Sequence, residues 1–185
     1  MPTVTEVAPT AAPTTRAKHK PSKRKPLAQP DGPCAPEDVL ITPRLPDPHA
    51  GAPVTIVLLL TTQKSEACTF EVDPESVFLT VSADDGPIWS SQDCPSAIPT
   101  TSVVARRERA ARVVVTWHGR ESDPTCARST PWVLAGEYVA SAVARGSVSP
   151  IDVGFVLLPA ERATVTITPT PTETPKGGAS GAGDR

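Results

Sequence analysis

Arg112-Val113-Val114-Val115-Thr116-Trp117 is the stretch on which the reading of this chain turns. Valine and threonine are β-branched and tryptophan is aromatic, side chains that suit a pleated, half-buried surface better than a helix. Along an extended strand the side chains alternate, so Val113, Val115 and Trp117 share one face while Val114, Thr116 and His118 share the other. A single inward-facing apolar row is what a strand needs when one face meets a second sheet and the other meets water. The segment therefore predicts a two-sheet β-sandwich with Trp117 in its core.

Outward from this strand, turn-forming residues recur at short intervals, and the apolar runs between them are too short and too β-branched for helices. Strands are expected over 38–42, 54–62, 68–72, 77–82, 87–91, 111–117, 137–144 and 152–158, with 101–104 as a short edge at most. The run Ser82-Ala83-Asp84-Asp85-Gly86-Pro87 predicts a tight hairpin, because glycine accepts positive φ at little steric cost. Tyr138, two residues after Gly136 at the start of a strand, is placed like a tyrosine corner, whose hydroxyl ties the strand to the preceding loop. The fold class expected is all-β: an antiparallel immunoglobulin-like sandwich of seven or eight strands.

That sandwich is assigned to residues 33–160. The chain holds 185 residues, and many of its 23 prolines crowd into the two ends. Residues 1–32 combine Thr-Pro and Ala-Pro steps with a basic cluster, Arg16, Lys18, Lys20, Lys23, Arg24 and Lys25. Residues 161–185 alternate Thr and Pro before a Gly/Ala-rich terminus. Neither end has enough large apolar surface to offset the entropy of ordering, so both are expected to be disordered. A net charge of −2 creates no global field for nucleic acid, and no specific nucleic-acid partner is expected.

Cys34, Cys68, Cys94 and Cys126 all fall within the central domain. Structural zinc sites bring ligands in closely spaced pairs, and no CxxC pair occurs here, so neither metal nor cofactor is expected. An even cysteine count in a small, aromatic-poor domain reads as two disulfides and an oxidising compartment. Spacing does not choose among the three possible pairings. The expected one joins Cys68 to Cys94 around the hairpin unit, leaving Cys34 for Cys126. Residues 1–10 are polar and the apolar run at 56–60 is too short to span a bilayer. Membrane anchoring then requires an upstream signal or helix that this chain omits; the alternative is a cytosolic β-domain regulator with free thiols.

Taken together, Cys34-Ala-Pro-Glu-Asp-Val39, Ala67-Cys68-Thr-Phe-Glu-Val72, Ile88-Trp-Ser-Ser91 with Asp93-Cys94-Pro95, Val115-Thr-Trp117 with Gly119-Arg120, Cys126 and Gly136-Glu-Tyr138 resemble a group of uncharacterised actinobacterial envelope proteins. The resemblance covers about residues 34–158. It implies a membrane helix, a Pro/Thr-rich linker and one extracytoplasmic β domain; this chain departs from the pattern in lacking the helix. A weaker resemblance, to the intracellular proteinase inhibitor family of bacilli, rests on a tryptophan in the strand before a Gly-x-Tyr strand. It implies architecture only, since no inhibitory loop can be matched residue by residue.

Catalytic chemistry finds little purchase. A hydrolase needs a nucleophile, a base within reach and a group orienting the base. His19 lies in the arm, His49 in the Leu45-Pro-Asp-Pro-His49 loop and His118 beyond Trp117, and each reads as a solvent-exposed histidine without a partner. Asp84 and Asp85 read as turn residues, and Glu71, Asp73 and Glu75 lack an EF-hand spacing. Among the tryptophans, Trp117 is expected in the core and Trp89 can pack inward, whereas Trp132, after Pro131, is the best exposed contact. The basic arm suits a polyanion through counterion release. The expected function is a non-enzymatic, monomeric, extracytoplasmic binding or structural module whose partner is a protein or an anionic cell-wall polymer. A proteinase-inhibitor-like module is the rival among binding proteins.

Overall fold

A computed structural model describes residues 26–161 of the chain. The basic residues Arg16, Lys18, Lys20, Lys23, Arg24 and Lys25 lie outside the described residues, as do both expected disordered ends apart from 26–32 and 161.

Among the described residues nine strands form, all paired antiparallel. One sheet contains β1 (Val39–Arg44), β2 (Val54–Thr62) and β7 (Ala111–Trp117) in the order β1-β2-β7. The other contains β4 (Val77–Ala83), β5 (Gly86–Ser90), β8 (Gly136–Ala144) and β9 (Ile151–Leu157) in the order β5-β4-β8-β9. A two-stranded ribbon pairs β3 (Ala67–Val72) with β6 (Thr101–Arg106). The strand count exceeds the expected seven or eight because 101–104 is no fragment: β6 runs six residues and pairs with the whole of β3, from Ala67↔Arg106 to Val72↔Thr101.

The alternation in β7 holds in three dimensions. Val113, Val115 and Trp117 are buried, while Val114, Thr116 and His118 are exposed. Their inward row joins Ile56, Leu58 and Leu60 of β2, Leu79 and Val81 of β4, Ala142 of β8 and Leu157 of β9 in one apolar cluster. Each fully buried Val, Leu or Ile contributes about 1.5–3 kcal/mol relative to exposure, so this shared interior is what holds the two sheets face to face. The small residues Ala140, Ala142 and Ala144 on β8 are buried too, leaving room for the larger side chains opposite.

After β1 the chain leaves its sheet and lies beside the end of the other one. His49 forms a parallel bridge with Leu158, Ala50 N–H donates to the Leu158 oxygen at 2.8 Å, and Leu158 N–H donates to the Pro48 oxygen at 2.8 Å. The segment after the first strand is thus tied to the end of the last. The Asp84-Asp85-Gly86 turn joins β4 to β5 with Gly86 at φ 129, and a bulge between Val81 and Ser82 accommodates it. Tyr138 Oη donates to the Leu134 oxygen at 2.8 Å, the corner expected from its position.

Residues just before 33 also bond to the domain: Arg106 Nε donates to the Ala28 oxygen at 2.9 Å and Asp31 N–H to the Ala67 oxygen at 3.1 Å. Strand β3 has an unpaired edge, and residues 31–34 satisfy it: Thr69 N–H donates to Gly32 and Cys34 N–H to Thr69, both at 2.8 Å. Nearby, buried Asp38 closes the β2-β3 turn, its carboxylate accepting the N–H groups of Gln63, Lys64 and Ser65. Burial alone raises the pKa of this carboxyl; the hydrogen bonds from the Ser65 side chain and the three backbone N–H groups outweigh it and hold the pKa below 3.8.

Candidate binding site

The segment between β7 and β8, which contains Trp132, folds back on itself as a small hairpin. Arg120 bridges Trp132 antiparallel, with Val133 N–H donating to Gly119 at 3.0 Å and Glu121 N–H to Pro131 at 3.1 Å. Only glycine fits at its hinge: Gly119 has φ 70, and a Cβ there would stand 2.5 Å from the Ala52 oxygen. The Trp117 indole N–H anchors the hairpin from below by donating to the Arg120 oxygen at 2.8 Å.

Arg120 organises the outer surface. Its guanidinium lies 3.8 Å from the centroid of the Trp132 ring and donates to the Thr130 oxygen. That geometry combines a cation-π contact with a fixed orientation of the fork. Trp132 remains 41% exposed, so one ring face is taken by Arg120 while part of the indole stays in solvent. Trp89 is the opposite case: it is buried, with its ring centroid 6.2 Å from that of Trp117.

Further along, Asp123 closes a turn, accepting from Thr125 N–H at 2.9 Å, Thr125 Oγ1 at 2.8 Å and Ala127 N–H at 3.0 Å. The Ala127 bond contributes most to holding its pKa below 3.8. Immediately after, Cys126 adopts φ 50 and is bonded to Cys94. Ser122 stitches the same loop to the edge of β5: Ser122 N–H donates to Ile88 at 2.9 Å, Ser90 N–H donates to Ser122 Oγ at 3.0 Å, and that hydroxyl donates to Asp93 at 2.6 Å.

These contacts frame a groove of about 440 Å³. It is lined by Val114, Thr116 and His118, by Ser96, Ala97 and Pro99, and by Arg120, Glu121 and Arg128, with both cysteines of the Cys94–Cys126 disulfide on it. The arrangement offers cationic donors, apolar side chains and a rigid rim, which suits recognition.

The cysteine pairing differs from the one expected. Cys34 is bonded to Cys68 and Cys94 to Cys126; the expected Cys68 to Cys94 and Cys34 to Cys126 bonds do not form. Bridge Pro33↔Thr69 sets Cys34 beside Cys68 on β3. The 119–134 hairpin meanwhile carries Cys126 to the end of β5, where Cys94 waits. Residues 31–34 pairing along β3 gave no signal in the sequence, which is why the hairpin argument misplaced both bonds.

His49 also departs from its reading as a histidine without a partner. Its Nδ1 is 2.9 Å from the Pro159 oxygen, and its Nε2 is 3.4 Å from Asp47 Oδ1 and 3.9 Å from Glu161 Oε1. The Pro159 carbonyl, followed by the carboxylates, raises its pKa above 6.5. His118 is exposed on the groove wall. Of the acidic residues, Asp73 accepts from the backbone N–H groups of Glu75 and Ser76, both at 2.8 Å, and Glu71 accepts from the Ser102 side chain, Oγ, at 2.6 Å.

Comparison with known proteins returned no match: no family model, no curated protein and no solved structure is similar enough to the chain to be matched to it.

Proposed function

We propose that this chain is a non-catalytic binding module of the cell envelope, held outside the cytoplasm and acting as a monomer on a protein or an anionic wall polymer. The observation that carries the reading is the closure of all four cysteines into two disulfides, with no free cysteine. One bond pins the domain's entrance to β3 and the other pins the groove's rim to β5. Such bonds form and persist in oxidising compartments. The reading is in keeping with the resemblance to actinobacterial envelope proteins, and the basic arm from Arg16 to Lys25 adds a polyanion contact.

The test is thiol alkylation of the protein from its native source before and after reduction, read by intact mass, together with its fractionation between cytosol and envelope. Alkylation only after reduction and recovery in the envelope fraction are expected. Four thiols alkylated at once, or recovery in the cytosol, would overturn the reading in favour of a cytosolic regulator with free thiols.

A further inference from the structure

Strand β7 ends the β1-β2-β7 sheet, with β2 on one side of it. Residues 31–34 bond along β3 and Ser122 bonds to β5, whereas β1, β6 and β9, like β7, are paired on one side among the described residues. Among the described residues no loop backbone bonds to the outer edge of β7. An edge left open in this way presents N–H and C=O groups to any extended chain that reaches it.

The groove borders this strand: it touches Val114, Thr116 and His118, which point away from the core, and also Trp89, whose ring packs on inward-facing Trp117. Its middle is β-branched, with Val114 57% exposed and Thr116 next on the same face, the side chains that cross-strand pairs favour. Two cations, Arg120 and Arg128, line it with one carboxylate, Glu121, and among the described residues no salt bridge pairs either arginine. The Cys94–Cys126 bond and the Ser122 contacts hold that rim in place, which lowers the ordering cost of binding.

We propose that the free edge of β7 receives an extended segment of a protein partner as an added strand, with β-branched side chains of the segment against Val114 and Thr116 and an acidic side chain received by Arg128 and Arg120. The proposal rests on the binding-module reading and names the partner's chemistry. Main-chain bonds to the edge supply affinity, and the alternating side chains supply selectivity.

The experiment pans a phage-displayed library of random linear peptides over the oxidised full chain, then titrates the enriched peptide into isotope-labelled protein. Enrichment of sequences with alternating β-branched residues and one Asp or Glu is expected, with amide shifts concentrated in Ala111–Trp117. Arg128→Glu is expected to weaken binding by tenfold or more while leaving the melting midpoint in place, because Arg128 is exposed and bonds to nothing among the described residues. Absence of enrichment, shifts confined to other strands, or full binding by Arg128→Glu overturns the proposal. So does slow hydrogen exchange of the outer β7 amides in the peptide-free chain, which would show that the chain itself or a second copy covers the edge. Displacement at β7 by purified anionic wall polymer, with no peptide enriched, overturns it as well. Any of these failures leaves the envelope reading standing, because that reading is decided by thiol state and cell fraction.

Discussion

The Trp117 indole N–H donates to the backbone oxygen of Arg120 at 2.8 Å, so the largest fully buried side chain of the core also sets the base of the surface hairpin that carries Trp132. Stability and site geometry therefore meet in one hydrogen bond. Trp117→Phe removes the donor and part of the packed volume, and is expected to cost about 2 kcal/mol in a denaturant titration. Trp132→Ala loses a partly exposed cation-π contact and is expected to cost about 1 kcal/mol. A larger loss from Trp132→Ala than from Trp117→Phe would mean that the hairpin supports the core, not the core the hairpin.

Peptide mapping without reduction is expected to recover Cys34 linked to Cys68 and Cys94 linked to Cys126. Sequence separations of 34 and 32 residues correspond, in the chain-entropy account, to about 3.7 kcal/mol for each loop. Paired alanine variants at either bond are expected to lose up to about that much. Only loss of the second is expected to loosen the groove, seen as faster hydrogen exchange in 119–134. Equal loosening from loss of the first bond would contradict the structure.

Asp38 couples the β2-β3 turn to acid stability. Its folded pKa lies below the ordinary 3.8, so its contribution is fully present above that value and is lost as pH falls through the folded pKa. Asp38→Ala leaves three N–H groups without their acceptor and is expected to cost about 3 kcal/mol at neutral pH. The wild-type loss of stability between pH 4 and more acidic values is expected to shrink in this variant; an unchanged acid limb would show that other carboxyls govern it.

His49 works in the opposite direction. Its folded pKa is raised above 6.5, so the stability it adds is fully present below pH 6.5 and fades as pH rises through the folded value. Exposure to solvent screens the contacts with Asp47 and Glu161, which keeps the effect small. A proton-detected titration of the His49 ring is expected to give a midpoint above 6.5. A His49 midpoint at or below 6.5 would show that the Pro159 and carboxylate contacts do not persist in solution.

Local pattern made most of the fold legible. Alternation in Arg112–Trp117 placed Val113, Val115 and Trp117 correctly because side-chain direction in a strand has a period of two, whatever the strand pairs with. The Asp85-Gly86 turn and the Tyr138 corner were legible for a similar reason: each depends on residues within a few positions. Strand β6 was underestimated because Thr101-Ser102-Val103-Val104 is only partly apolar, and its length is set by pairing with β3 rather than by its own burial.

What the sequence by itself determined was the class of the fold, the bounds of most strands, the burial of Trp117 and the exposure of Trp132, all consequences of short-range preference and of apolar alternation. Only the tertiary structure decided which cysteines bond, that Asp38 receives the β2-β3 turn, that His49 meets Pro159 and Glu161, and that the groove brings β7 together with Ser96, Ala97 and Pro99. Each of these joins segments well separated along the chain, and the chain carries no local signal for where two distant segments come to lie side by side. Their meeting is fixed by how the sheets pack around the shared core.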